Sequence, residues 1–141
     1  MNILVSACLL GVCCRYDGAS KPNKAVLKLL ERHTLIPICP EQLGGLATPR
    51  PPAERQGDAV RTQSGADVTE QYRRGAEEAL RLCRIYGWQA AVLKERSPSC
   101  GAGAVYDGTF SGSLIHGDGV TAELLKANGI PVYGESCVEE L

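Results

Sequence analysis

Apolar positions along this chain follow two rhythms. Short runs at Ile3–Ser6, Leu35–Ile38, Ala90–Leu93 and Ile130–Tyr133 have the length and composition of buried strands. Between them, apolar residues recur at helical spacing. A helix is expected from about Lys24 to Arg32, with Val26, Leu27, Leu29 and Leu30 on its apolar side. The longest helix is expected to open at Asp67, with Glu70 three residues on as a capping-box-like pair, and to end at Gly87. Its stripe is Tyr72, Ala76, Ala79, Leu80 and Cys83. A third helix is expected over Val120–Ala127, stopped by Asn128-Gly129. Two stretches are expected to be irregular: 44–65, which holds Pro49, Pro51 and Pro52, and the Gly-rich 101–119. Alternating strands and helices are the signature of βαβ units. The fold class expected is therefore α/β: a small Rossmann-like or flavodoxin-like, mostly parallel sheet of about four or five strands flanked by helices. A chain of 141 residues makes this one domain, spanning 1–141.

In an open parallel sheet, ligands bind at the carboxyl ends of the strands. Cys8 follows the first strand, Cys39 the second and Cys100 the third. Gly11, Pro40 and Gly101 stand near them, residues that let backbone approach a bulky ligand. Three thiolates on one rim suit a soft metal centre. Structural zinc normally takes four ligands, often as CxxC pairs, and no CxxC occurs here. An iron–sulfur cluster tolerates dispersed cysteines, and three of them leave one iron open for chemistry. Cys137, after the last strand, is the candidate that could close the site. Adjacent Cys13 and Cys14 read as filler or accessory thiols, and Cys83 as a core residue.

Seven cysteines are many for this length, and the number is odd. The apolar beginning MNILVSACLL lacks a basic leader, so a secretory signal is not expected, and the thiols should stay reduced in a cytoplasmic setting. The near-even balance of 15 basic and 16 acidic residues gives no electrostatic footprint for long nucleic acid. No stretch approaches the ~20 apolar residues of a membrane span. The Gly-rich segment lacks a GKS/T sequence, which leaves a phosphate loop unsupported. His33 and His116 read as surface or loop residues.

The segments SACLLGVCCRYDG (6–18), CPEQLGGLATPRPPAE (39–54), GADVTEQYRRGAEEAL (65–80) and LKERSPSCG (93–101), with YDGTFSG and GDGVTAELL further on, resemble the bacterial thiouracil desulfidases. The similarity covers nearly the whole chain. It implies a 4Fe-4S cluster held by three cysteines, matching Cys8, Cys39 and Cys100, with one open iron. It also implies a small thiolated pyrimidine as substrate, desulfurised to uracil with release of sulfide. The family's acidic residue falls on Glu41 and its serine on Ser97.

Elementary chemistry agrees with that expectation. A thiocarbonyl sulfur is soft and should bind an open iron, while water adds to the carbon with a carboxylate as general base. Glu41, two residues past Cys39, is the candidate base; the hydroxyl of Ser97 could donate to developing charge or pass a proton. Ser99 is a rival for that role, and Ser99, Arg15 and Arg50 are candidate substrate contacts. Glu41 could instead cap a helix beginning after Pro40, and Arg50 and Glu54 could form an internal salt bridge. The rival readings are a non-enzymatic iron–sulfur or zinc regulatory module and a hydro-lyase using the open iron on a hydroxy acid. A thiol-nucleophile enzyme is disfavoured, because neither histidine sits in a turn beside a candidate cysteine.

Overall fold

The computed structural model describes residues 1–87 and 89–141. Strand β1 (Asn2–Ser6) runs through a 3-10 turn (Ala7–Leu10) and a long loop into α1 (Lys24–Lys28), which a second 3-10 turn extends over Leu29–Glu31. Strand β2 (Thr34–Ile38) passes directly into the one-turn helix α2 (Pro40–Leu43). A hairpin of β3 (Ala53–Gln56) and β4 (Ala59–Thr62) precedes the long α3 (Thr69–Tyr86). Strand β5 (Ala90–Leu93) is followed by a second hairpin, β6 (Ala104–Tyr106) with β7 (Leu114–His116). Helix α4 (Val120–Ala127), β8 (Val132–Gly134) and a closing 3-10 turn (Glu135–Glu140) complete the chain.

Four strands form the central sheet in the order β2-β1-β5-β8, and every pair is parallel. This is the flavodoxin-like order, with the expected strand count at its lower value. Side chains alternate across the sheet with period two. Ile3, Val5, Ala90 and Val92 face a core closed by Val26 and Leu29, with Val138 from the last turn. Leu4, Ala91 and Leu93 face the opposite core, closed by Ala79, Leu80 and Cys83 of α3 and by Ala122 and Leu125 of α4. Both faces are covered, which is why the strands read as continuous apolar runs rather than alternating ones.

Several boundaries differ from those expected. Helix α3 starts at Thr69, not Asp67, and no capping box forms: the Asp67 carboxylate instead accepts the Thr69 amide at 2.9 Å in a turn that precedes the helix. The last strand begins at Val132: Pro131 cannot donate to the ladder, although its carbonyl already accepts the Ala91 amide. The stretch 44–65 is not wholly irregular. Beyond its prolines, Gly57-Asp58 forms a tight turn between β3 and β4, with Gly57 at φ 63°. The Gly-rich stretch likewise folds back on itself as β6 and β7.

Helices α2 and α3 touch backbone to backbone. A Cβ on Gly44 would overlap the carbonyl oxygen of Gln71, and one on Gly75 would overlap that of Pro40. Ordinarily Gly→Ala inside a helix stabilises by ~0.5–1 kcal/mol. Here Gly75→Ala should reverse that sign and destabilise the protein by roughly 1–3 kcal/mol, the usual range for overpacking. Glu77→Ala on the exposed face should be near neutral. Urea unfolding of the two variants checks this; a Gly75→Ala protein as stable as the parent would show that the seam is loose.

Candidate active site

A cavity of about 550 Å³ opens at the carboxyl edge of the central sheet. The strand order reverses between β1 and β5, where crossovers leave for opposite faces, and such switch points open a crevice. Cys8, Cys39 and Cys100 all line it. Cys8 stands in the 3-10 turn after β1, and Cys39 is the single residue between β2 and α2. Cys100 lies seven residues beyond the end of β5 and needs more to hold it. The amides of Val120 and Thr121, at the start of α4, donate to the carbonyls of Pro98 (2.9 Å) and Ser99 (2.8 Å). The side chains of Ser99 and Thr121 bond at 2.9 Å, both fully buried. Gly119 lies so close to Ser99 that any Cβ there would overlap its backbone.

A fourth thiol joins the rim. Cys14, 2 % exposed, lies against Cys8 and Cys39, and its carbonyl receives the Cys39 thiol at 3.6 Å. Sequence spacing gave no reason to choose it over Cys13, which is exposed. Three of these sulfurs, those of Cys14, Cys39 and Cys100, are poor acids. The Cys14 hydrogen bond and burial push the Cys39 thiol far up. Burial pushes Cys100 up to about 12, against smaller opposing help from the Ser6 and Ser99 hydroxyls. For Cys14 the bond with Cys39 lowers the pKa, but the bond with Cys8 and burial together outweigh it.

Glu41, the second residue of α2, also lines the cavity, and both carboxylate oxygens have donors. The Tyr72 hydroxyl donates to Oε1 and Nη2 of Arg50 to Oε2. Arg50 is itself fixed by the carbonyls of Ala47 (3.2 Å) and Cys14 (2.9 Å) and by Thr48 Oγ1 (3.0 Å). Its side chain is 5 % exposed. Burial alone would lower the Arg50 pKa, but the Glu41 charge reverses that and raises it. The internal salt bridge anticipated for Arg50 therefore exists, with Glu41 rather than with Glu54 as its partner. Glu54 Oε1 accepts the amides of Gly108 (3.0 Å) and Phe110 (3.1 Å), holding the loop that brings Phe110 to the cavity wall in a left-handed conformation, φ 57°.

Ser97 and Ser99, equivalent as candidates in sequence, separate in space. Ser97 lines the cavity, and its Oγ accepts the amides of Ser99 and Cys100, each at 3.1 Å. A hydroxyl has two acceptor sites and one proton, so the capacity left to Ser97 is donation. Ser99 is 1 % exposed, is not among the residues that line the cavity and serves the α4 junction through Thr121. Arg15 lies on the cavity wall, 3.9 Å from Asp17 and stacked 5.6 Å over the Tyr16 ring. Cys137 is exposed in the C-terminal turn and Cys83 is buried in the α3 core; neither lines the cavity. The same holds for His33, which contacts the N-terminal amine, and for His116 on the exposed face of β7. Sequence reasoning missed Cys14, Tyr72 and Phe110 as cavity residues. Only for Tyr72 was there a signal, a hydroxyl within an otherwise apolar stripe.

Among the described residues, no three His, Cys, Asp or Glu side chains converge closely enough to hold a single metal ion. A four-iron cluster takes each thiolate on a different iron, so its ligands stand farther apart than those of one ion. Soft donors facing one roomy cavity, Cys8 and Cys100 buried and Cys39 partly so, fit such a group. All seven cysteines are free.

Thiols gathered at the strand switch point of a flavodoxin-like α/β domain, beside a doubly hydrogen-bonded carboxylate, are the donor set that a protein with a soft metal centre in a substrate cavity would use. The chain belongs to the 2-thiouracil desulfurase family, whose profile matches residues 3–136. It is 44% identical to YbbK, an uncharacterized protein of Bacillus subtilis (strain 168), over 99% of both chains. It is 51% identical to a solved structure of the [4Fe-4S]-dependent thiouracil desulfidase TudS, with a TM-score of 0.91, covering 99% of this chain and 94% of that one.

Thiol burial predicts an order of reactivity. In cluster-free protein at pH 8, a maleimide should label exposed Cys13 and Cys137 first. Cys83 and Cys100, each pushed up to about 12, should remain unlabelled until the chain unfolds. Peptide mass spectrometry with and without denaturant reads the order; prompt labelling of Cys83 or Cys100 in the folded protein would contradict it.

Proposed function

We propose that this protein is an iron–sulfur-dependent thiouracil desulfidase, converting a thiolated uracil and water to uracil and hydrogen sulfide without net electron transfer. The observation that carries the reading is the convergence of Cys8, Cys39 and Cys100 from three strand ends on one cavity, with Glu41 on the same wall. Family membership and the likeness to TudS support it. The three cysteines are the proposed ligands of a 4Fe-4S cluster. When bound, the cluster supplies an open, soft iron that acts as a Lewis acid on the thiocarbonyl sulfur.

The chain's own groups do the rest. Glu41 takes a proton from water as its oxygen adds to the thiocarbonyl carbon; each carboxylate oxygen retains a free lone pair beside its existing donor. The C–O bond forms, the C–S bond breaks, and both protons of the water leave with the sulfur. Ser97, with donation as its remaining capacity, gives its O–H to charge developing at the reacting centre. Arg15, which lines the same cavity, is the proposed donor to a substrate carbonyl oxygen.

A hydro-lyase acting on a hydroxy acid would want free arginines for carboxylates, and Arg50 is committed to Glu41. Among the described residues no helix is long and apolar enough to cross a membrane. A cytoplasmic location, where thiols stay reduced, suits the seven free cysteines.

Two experiments test this reading. Single changes of Cys8, Cys39 or Cys100 to Ser should abolish cluster retention after anaerobic reconstitution, whereas Cys83→Ser and Cys137→Ser should hold iron and sulfide near the parent level. Full iron in any of the first three removes that residue from the ligand set. Glu41→Gln should keep the cluster but lower single-turnover desulfurisation of thiouracil by ~10²–10⁴, the usual contribution of a general base. A rate within a few-fold of the parent strips Glu41 of that role.

A further inference from the structure

We propose that Tyr72, acting with Arg50, is a positioning residue that fixes the Glu41 carboxylate for proton transfer, and that the Gly44–Gly75 seam sets the distance at which it does so. The proposal rests on the reading of Glu41 as the base.

Glu41 stands on a helix of one turn, and an element that short has little stability of its own. Its place is dictated by what it packs against. Contact between α2 and α3 is as close as two backbones can come, since neither Gly44 nor Gly75 has room for a Cβ. Tyr72 lies on α3 one residue after Gln71 and three before Gly75, so the contact that seats α2 also brings the phenol to Glu41 Oε1. Arg50 takes the other oxygen and is tied by three further bonds to the 47–48 segment and the Cys14 loop. The carboxylate is thereby held between two immobile donors. Tyr72 is 3 % exposed, and burial together with the Glu41 charge pushes its pKa far up, so it stays a neutral donor and takes no proton itself.

A buried tyrosine ordinarily finds some partner for its hydroxyl, so a purely structural role makes different predictions. Tyr72→Phe keeps the ring and removes only the donor. With the carboxylate freed on one side, kcat should fall ~10–100-fold, in keeping with the cost of misplacing a reacting group by about an ångström, while KM stays within about two-fold. In a Glu41→Gln background the same change should alter kcat by less than about two-fold, because there is no longer a base to position. Iron content of each cluster-loaded variant is measured first. Should Tyr72→Phe lose iron, Arg50→Lys carries the same cycle at Oε2. A readout independent of turnover is the tyrosine ultraviolet difference spectrum between the parent and Glu41→Gln proteins, which should vanish when both carry Tyr72→Phe.

Tyr72→Phe with parental kcat overturns the proposal, as does an equal loss in both backgrounds or the lack of a tyrosine difference band. If Glu41→Gln itself turns over at the parental rate, the base reading fails and the proposal falls with it. A slow Glu41→Gln beside a fast Tyr72→Phe removes the positioning role alone.

Discussion

Strand β1 is the constraint on which the rest of the molecule depends. It is hydrogen-bonded in parallel to β2 on one side and to β5 on the other. Parallel pairing in register forces the carboxyl ends of all three strands to one edge, and the reversal of strand order at β1 opens that edge into a cavity. Residues 31 and 61 positions apart thereby become neighbours around one space. The apolar runs that make this possible are buried on both faces, so any slip in register would place side chains against the wrong helix layer.

Around that edge, loops rather than strands carry the chemistry, and each is held by hydrogen bonds that leave little freedom. The Cys14 carbonyl receives both the Cys39 thiol and the Arg50 guanidinium, joining three separate loops at one atom. The segment before Cys100 is capped by Ser97 from within and by the first amides of α4 from outside. Glu54 does the same for the loop that bears Phe110. Such pinning keeps reacting groups within the narrow tolerance that a water addition requires.

Much of the architecture was legible in the sequence, because buried parallel strands are short apolar runs and α3 has a strong apolar stripe. Placing Cys8, Cys39 and Cys100 at strand ends needed nothing more than those runs. The hairpins were not legible: three prolines obscured the Gly57-Asp58 turn, and glycines concealed β6 and β7. The start of α3 was misplaced because an aspartate that caps a turn looks the same in sequence as one that caps a helix. Ser97 and Ser99 could not be told apart either, since the direction of each side chain depends on where α4 docks. For Tyr72 the one signal was a hydroxyl within an apolar stripe. Its ring belongs to the α3 stripe, and only the position of α2 shows that its hydroxyl meets a carboxylate.

Sulfur removal from a thiolated uracil by this iron–sulfur enzyme should be hydrolytic. Its most direct test is to incubate anaerobically reconstituted protein with thiouracil in ¹⁸O-labelled water, with no electron donor present, and to measure sulfide together with the mass of the uracil formed. Multiple turnovers are expected, with one sulfide per uracil and one ¹⁸O atom in each product molecule at the carbon that held sulfur. Cluster-replete protein that leaves thiouracil untouched, needs a reductant, or yields uracil without the label would contradict it.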